Sequence, residues 1–306
     1  MSRGLKKFFI ICAITVGVGL ILSVIGVAAG GIKAIDKLAE RYDWINGGPG
    51  EMTYLNLEED AAFDSVQVQG SMDVVVYRGD PSKTRIIYGK NQEKPILYAE
   101  NGVLAAETQD SPSNGVINLY GDDPSPTLEL YCDDEETLKS LKIDIDWGDV
   151  EMEGIAADYI QVESSSGDIF MGQAKAGSLE LDADYGDISL EQVSYDQATV
   201  KNESGDIYMD DVASKGLTLE SQYGDVELYG AFTGTTDLRI SSGAAYLETS
   251  LAESLYTLDI ATESGDLAIG DHVYMDDYEN SYRFGSGENL IRIVSEYGDV
   301  EVGFGR

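Results

Sequence analysis

A short motif that recurs at a constant interval constrains this chain more than any other sequence feature. Its glycines stand at positions 148, 167, 186, 205, 224, 243, 265 and 298, so five successive intervals are 19 residues and the last two are 22 and 33. An Asp follows the glycine in seven of the eight copies. A fixed period of about 20 residues is typical of a solenoid, in which each repeat forms one coil that packs against its neighbours.

Apolar and polar residues alternate within each repeat. Around Gly167, Ile160 and Val162 precede the glycine, and Ile169 and Met171 follow it. This period of two indicates strands, and its change of parity across the Gly-Asp pair indicates a turn between them. A helical period of 3.6 is not visible in the repeats. We therefore predict an all-β fold, a right-handed parallel β-solenoid whose 19-residue coils stack about 4.8 Å apart.

The N-terminal segment has a different composition. Residues 8–32 carry no charge and as a helix would exceed the roughly 30 Å of a bilayer's hydrocarbon. Residues 1–7 are basic, so the positive-inside rule predicts a cytoplasmic N-terminus, a transmembrane helix over 8–32 and an extracytoplasmic remainder. The alternative is a signal peptide cleaved near Ala29, although its apolar region would exceed the usual length of about 7–15 residues.

The remainder divides into three predicted regions. Residues 33–50 form an amphipathic stalk that ends in a Gly/Pro hinge. Residues 51–140 form irregular β coils, and residues 141–306 form the regular solenoid. An Asp- and Tyr-rich stretch, 271–289, is predicted to be a loop inserted into one coil. Seven strand-like segments lie in the irregular region: Phe63–Gln69, Met72–Tyr77, Thr84–Tyr88, Ile96–Ala99, Val103–Thr108, Val116–Tyr120 and Thr127–Tyr131.

The chain is strongly acidic. It has 56 Asp and Glu against 20 Lys and Arg, a net charge of −36, which excludes nucleic-acid binding because phosphate backbones are repelled. Of the 24 positions that lie six, four and two residues before the glycines, 12 are acidic. Period two turns these positions toward solvent, so they predict an acidic surface for a cationic peptide, an envelope polymer or a basic protein domain. Its assigned residues are Asp144, Asp146, Glu163, Asp182, Asp184 and Glu220.

The Asp after each glycine forms a second candidate group. Carboxylates stacked about 4.8 Å apart repel by roughly 1 kcal/mol per neighbour in water, so each needs a compensating partner. In the structural interpretation each carboxylate accepts backbone N–H groups of its own turn. In the alternative the carboxylates bind calcium, which takes about 6–8 oxygen ligands; no other cofactor is expected. The residues are Asp149, Asp168, Asp187, Asp206, Asp225, Asp266 and Asp299.

The residue before the glycine alternates between aromatic and small. Trp147, Tyr185 and Tyr223 alternate with Ser166, Ser204 and Ser242. We interpret the alternation as packing at the corner, where a small residue makes room for each ring. The alternative is an aromatic strip that faces a ligand.

Catalytic constellations are absent from the sequence. The chain has one histidine, His272, which is predicted to be a loop residue without a nucleophile partner. Cys132 is predicted to pack as a small buried apolar residue, because Cys12 lies in the membrane segment; a reactive thiol is the alternative. We predict that the protein is not an enzyme. A polysaccharide-active β-helix is the minor alternative, because paired carboxylates suit glycoside chemistry.

The serial corners resemble a known family. Ser-Gly-Asp-Ile at 166–169 and 204–207, with its Tyr variants, is similar to the putative-adhesin family of bacterial β-strand-repeat proteins, domain of unknown function 4097. The resemblance covers about residues 53–306 and includes the entry segment Phe63–Tyr77. It implies a β-solenoid in an envelope of the Gram-positive type, with adhesion or envelope-stress sensing as its role. The family pattern contains no catalytic residues, so none is carried over.

These observations together predict a single-pass plasma-membrane protein that binds through an extracytoplasmic acidic solenoid. The alternative is a regulatory module that reports envelope stress to a membrane-protein partner through residues 8–32. Self-association is a further expectation, because the chain end at 302–306 carries only a short glycine-rich cap over the last coil.

Overall fold

The computed structural model describes residues 52–58, 61–90, 92–108, 125–133, 136–270, 272–274 and 280–305. They fold into β-strands and two short 3₁₀ turns, Pro81–Lys83 and Glu253–Leu255, so the all-β prediction is confirmed. Within these ranges no helix has the length and apolarity needed to cross a membrane. The predictions for residues 1–7, 8–32 and 33–50 lie outside the described residues.

The strands are numbered in chain order. They are β1 (Met52–Asn56), β2 (Phe63–Gly70), β3 (Asp73–Arg78), β4 (Arg85–Gly89), β5 (Ile96–Glu100), β6 (Gly102–Glu107), β7 (Thr127–Cys132), β8 (Leu138–Ile145), β9 (Val150–Glu153), β10 (Ala156–Ser164), β11 (Ile169–Gly172), β12 (Lys175–Tyr185), β13 (Ile188–Glu191), β14 (Ser194–Ser204), β15 (Ile207–Tyr223), β16 (Val226–Ser242), β17 (Ala245–Thr249), β18 (Tyr256–Ser264), β19 (Leu267–Ile269), β20 (His272–Tyr274), β21 (Asn280–Gly285), β22 (Asn289–Tyr297) and β23 (Val300–Phe304).

Parallel pairing arranges the coils in two rows of strands. Strands that precede the corners form the long row, in the order β6, β2, β8, β10, β12, β14, β15, β16, β22, β18. Strands that follow the corners form the short row, β7, β3, β9, β11, β13, β15, β16, β17, β23, β19. In the regular part partners such as Ile160 and Leu179 stand 19 positions apart, as the motif interval requires. The handedness of the coils stays a prediction.

The last coil of the chain does not lie last in the stack. β22 pairs with β16 on one side and with β18 on the other, and β23 lies between β17 and β19. The premise that the segment 302–306 is an uncovered end is therefore wrong for its described residues. The stretch 271–289, predicted to be a loop, contains β20 and β21, which pair antiparallel with β19 and β18. These antiparallel strands cover the edge of the outermost coil.

The opposite end is built in a similar way. β2 and β3 come first of the stacked coils in the chain, yet they lie between the coil of β6 and β7 and the coil of β8 and β9. The antiparallel strands β5, β4 and β1 lie outside them.

Six of the seven strand-like segments match β2 to β7, and the seventh, 116–120, lies outside the described residues. The sequence reading did not identify β1.

The core follows the period of two. Ile160, Val162, Ile169 and Met171 are fully buried, and the equivalent residues of the other coils continue one apolar cluster. Each such aliphatic side chain stabilises the fold by about 1.5–3 kcal/mol relative to an exposed position. The inward row three residues before the corner glycine is the exception, since it includes the buried polar Ser164, Asn202 and Ser221.

Candidate functional site

The residues that precede the corner glycines stack into one column. The N–H of Gly148 donates to the carbonyl oxygen of Ser166 at 3.1 Å, and the same bond links each glycine to the next coil. At the far end the N–H of Gly243 donates to the Tyr297 carbonyl and that of Gly298 to the Ser264 carbonyl, both at 3.0 Å. We call this set the corner column; in spatial order it is Trp147, Ser166, Tyr185, Ser204, Tyr223, Ser242, Tyr297 and Ser264.

The aromatic rings of the corner column face solvent. Trp147, Tyr185, Tyr223 and Tyr297 are 68%, 62%, 63% and 61% exposed. The interpretation as corner packing is therefore wrong for these rings. Period two alone would turn the position before the glycine inward, but the chain bends there and the side chain leaves the core.

A groove of about 740 Å³ adjoins the first two rings of the column. Trp147 and Tyr185 contribute apolar surface, and Asp146, Asp184 and Glu93 add carboxylates. The groove therefore combines ring faces with negative charge, which suits a ligand that has both apolar and cationic groups.

The six residues assigned to the acidic surface separate into three places. Asp144, Glu163 and Asp182 are exposed and occupy successive partner positions of the long row. Asp146 and Asp184 line the groove beside the corner column. Glu220 lies further along the same row, after Lys201.

Basic residues interrupt the acidic row beyond Asp182. Arg239 is the register partner of Glu220 and pairs with its carboxylate at 2.8 Å. Asp237 lies 3.7 Å from Arg239 and 3.4 Å from Arg292. The predicted ladder of carboxylates is therefore continuous only over Asp144, Glu163 and Asp182, and Glu220 belongs to a mixed-charge network.

The Asp residues after the corner glycines form a hydrogen-bonded ladder. Oδ1 of Asp149 accepts the N–H of Asp168 at 2.9 Å, and Asp168, Asp187, Asp206 and Asp225 repeat the bond to the next coil at 2.8–2.9 Å. Each carboxylate therefore accepts an N–H of the neighbouring coil. The structural interpretation from the sequence, in which it accepts N–H groups of its own turn, is wrong in this respect. The ladder also includes Asp73, whose Oδ1 accepts the N–H of Asp149 at 3.1 Å.

The ladder is interrupted once. Ala244 donates its N–H to Asp225 at 2.8 Å but has no carboxylate to offer the next coil. The ladder resumes beyond it, where Asp299 accepts the N–H of Asp266 at 2.8 Å. Over the described residues no group of three or more Asp, Glu, His or Cys side chains is placed to share a metal ion. Calcium binding by the ladder Asp residues stays a prediction.

The predictions for Cys132 and His272 have different outcomes. Cys132 is 4% exposed, and burial raises the pKa of its thiol to about 12, so the interpretation as a buried apolar residue is confirmed. His272 is exposed and begins β20, so the prediction of a loop residue is wrong.

The outer side of the short row carries a tyrosine cluster that the sequence reading did not single out. The rings of Tyr208 and Tyr229 are 5.9 Å apart, and those of Tyr229 and Tyr246 are 5.3 Å apart. The Tyr246 hydroxyl donates to Glu248 at 2.8 Å, and this hydrogen bond together with burial raises the pKa of Tyr246 to about 12. The signal was available, since these tyrosines occupy outward positions on adjacent coils.

Fold and column together define a β-repeat protein whose coils stack through a Gly-Asp corner. The chain belongs to the Toastrack DUF4097 family, whose model matches residues 65–303. The resemblance drawn from the corner motifs is thereby confirmed. No curated protein sequence matches the chain.

Solved structures are similar to the chain at low sequence identity. A putative adhesin from Bacteroides fragilis is 15% identical with a TM-score of 0.51, and the match covers 84% of this chain and 98% of that one. A putative adhesin from Parabacteroides distasonis is 12% identical with a TM-score of 0.45, over 83% and 98% of the two chains. A putative lipid binding protein from the same species is 15% identical with a TM-score of 0.42, over 84% and 97%.

Proposed function

We propose that this protein is a non-enzymatic binding protein of the bacterial cell envelope, of the adhesion type. Residues 8–32 anchor it in the plasma membrane as a single span, and the coils lie outside the cytoplasm. Its acidic surface binds a cationic partner. The observation that carries the proposal is the row of exposed carboxylates at Asp144, Glu163 and Asp182, which adjoins an acidic and aromatic groove.

Rigid strands make this surface effective. Parallel pairing holds the three carboxylates about 4.8 Å apart, so their fields add at a cation that approaches the row. Asp146 and Asp184 extend the negative field into the groove. Because all of these groups are at the surface, the attraction weakens as salt screens it.

Charge reversal tests the proposal. Glu163→Lys combined with Asp182→Lys and Asp184→Lys should weaken binding of labelled polylysine to the full-length protein at low salt by about tenfold or more. The difference should shrink as ionic strength rises toward about 0.15 M. The matched control reverses the same number of carboxylates, Glu151, Glu191 and Asp210, which are exposed on the short row. Equal losses of polylysine binding in the two variants would mean that net charge alone, and not this surface, causes the binding. Unchanged binding in both variants would refute the proposal that the acidic surface binds a cationic partner.

Location is tested separately. In intact cells, external protease should digest the coils while an N-terminal cytoplasmic tag stays protected. Protection of the coils would overturn the proposed topology. Release of the coils into the medium would instead indicate cleavage near Ala29.

A further inference from the structure

The aromatic–small alternation of the corner column continues through the whole described stack, including the point where it breaks in the sequence. In chain order Ser242 is followed by Ser264, and Tyr297 comes last. Because β22 lies between β16 and β18, Tyr297 falls between the two serines. The rings therefore lie on every second coil from Trp147 to Tyr297.

This arrangement fixes the spacing of the rings. Parallel strands lie about 4.8 Å apart, so rings on alternate coils repeat at about 9.6 Å and four rings span about 29 Å. A polyproline II helix has about three residues per turn and rises about 3.1 Å per residue, so its faces repeat at about 9.3 Å. Over three intervals the two repeats differ by only about 1 Å.

The hydrogen-bonding groups of the column also match such a helix. Trp offers an indole N–H, and the Tyr and Ser hydroxyls offer O–H donors. The backbone of a polyproline II helix has no internal hydrogen bonds, so its carbonyl oxygens are free to accept. Rings and hydroxyls that alternate along the column thus face a ligand rich in acceptors and poor in N–H groups.

Charge selects among such ligands. Asp146 stands one position before Trp147 and Asp149 two positions after it, and Asp184 and Asp187 have the same relation to Tyr185. Asp146 and Asp184 line the groove with these rings. Lys or Arg side chains between the contacts with the rings would meet these carboxylates and the ring faces.

We propose that the corner column binds a basic peptide segment in the polyproline II conformation, with one ring contacted for every three residues. This rests on the proposed function, because it names the cationic partner. A partner protein with a Pro- and Lys-containing extracytoplasmic segment has the required chemistry. The alternative ligand is an extended glycan, in which every second sugar presents the same face. The experiment must distinguish this glycan from the basic peptide.

The experiment compares two peptides of equal charge on the full-length protein. A labelled peptide of four Pro-Pro-Lys repeats, one for each ring, should bind about tenfold more tightly than four Gly-Gly-Lys repeats. Tyr185→Ala combined with Tyr223→Ala should lower the affinity for the proline peptide by about tenfold. It should leave the glycine peptide unchanged, because that peptide is bound through charge alone.

A matched variant controls for loss of exposed tyrosines in general. Tyr54→Ala combined with Tyr98→Ala removes two rings that are 55% and 50% exposed and lie outside the column, and it should bind the proline peptide as the parent does. Equal affinities of the two peptides, or no effect of the column variant, would overturn the inference. If the variant that combines Glu163→Lys, Asp182→Lys and Asp184→Lys weakened polylysine binding in that case, the proposed function would stand alone.

The alternative ligand has its own result. Neutral β-1,4-linked amino-sugar oligomers should not bind in a manner that depends on Tyr185 and Tyr223. Binding that the column variant abolishes, with affinity that rises in steps of two sugars, would make the column a glycan platform and overturn the peptide assignment.

Discussion

The glycine and the aspartate of each corner have separate structural roles. Gly167 has φ +135, and a Cβ there would overlap the carbonyl oxygen of Gly148 in the adjacent coil. The glycine is therefore required for close approach as well as for its backbone conformation. The Asp that follows it supplies an acceptor for an N–H of the next coil. The sequence indicated both residue types, but only the stacked coils show which atoms they serve.

Loss of one ladder carboxylate should be costly only if the acceptor is lost with it. The N–H of Asp206 lies 2.8 Å from the Asp187 carboxylate; Asp187→Ala removes that acceptor, leaves the exposed N–H to water and should lower the free energy of unfolding by about 0.5–1.5 kcal/mol. Asp187→Asn keeps a carbonyl oxygen and should cost less than half as much. Denaturant unfolding measures both variants. Equal losses would mean that charge, and not the hydrogen bond, is what the ladder uses.

The buried thiol predicts a particular dependence of stability on pH. The pKa of Cys132 is raised by burial to about 12, whereas an unfolded thiol ionises near pH 8.5. Above about pH 8.5 the unfolded state therefore binds fewer protons than the folded state, and stability falls by up to about 1.4 kcal/mol per pH unit. Urea unfolding between about pH 8 and 9, a full unit or more below the ordinary tyrosine pKa of about 10, should show this slope. Cys132→Ala should flatten it, and an unaltered slope would exclude the thiol as its source.

Each coil has a second turn, between its short strand and the next long strand, that the sequence did not reveal. Gln173, Gln192 and Asp211, each six positions after a corner glycine, have φ of +49, +56 and +52. Among the turns between β9 and β15, a glycine with positive φ occupies this position only at Gly154. Because the left-handed residue is usually not glycine here, composition gave no signal for the turn. The corner glycines, in contrast, were visible because close approach excludes every side chain.

Substitution at the second turn should therefore depend on backbone preference and not on contacts. Gln192 is exposed with φ +56, so Gln192→Val should lower the free energy of unfolding by about 1–2 kcal/mol, since a β-branched residue tolerates this region poorly. Gln192→Gly should be neutral or slightly stabilising. Glu191→Val, on the preceding strand, is the control and should change little. Thermal unfolding measures the three variants. If Gln192→Val and Glu191→Val lost equal stability, the positive φ of Gln192 would not be the cause of the loss.

The order of the coils is the property of the whole molecule that the sequence reading missed. The repeats predict coils that stack in chain order, although two irregularities of the sequence indicate a different order. The interval from Gly243 to Gly265 is 22 residues instead of 19, which provides chain to pass the interposed coil. The aromatic–small alternation also fails between Ser242 and Ser264 in the sequence. Period and parity predict what one coil is, whereas the order of coils depends on connections that carry no repeat.

Removal of the last coil tests this order. A chain truncated after Gly285 lacks β22 and β23, so β18 and β19 lose the parallel partners that join them to β16 and β17. Hydrogen exchange should then show loss of protection throughout β18 and β19, while β14 and β15 keep theirs. Truncation after Phe304, which leaves both strands intact, is the control. If β18 and β19 stayed protected in the shorter chain, the outer coil would pair directly with β16 and β17. The coils would then be able to stack in chain order. In that case β22 and β23 would contribute the ring of Tyr297 to the corner column but would not be needed to hold the end of the stack together.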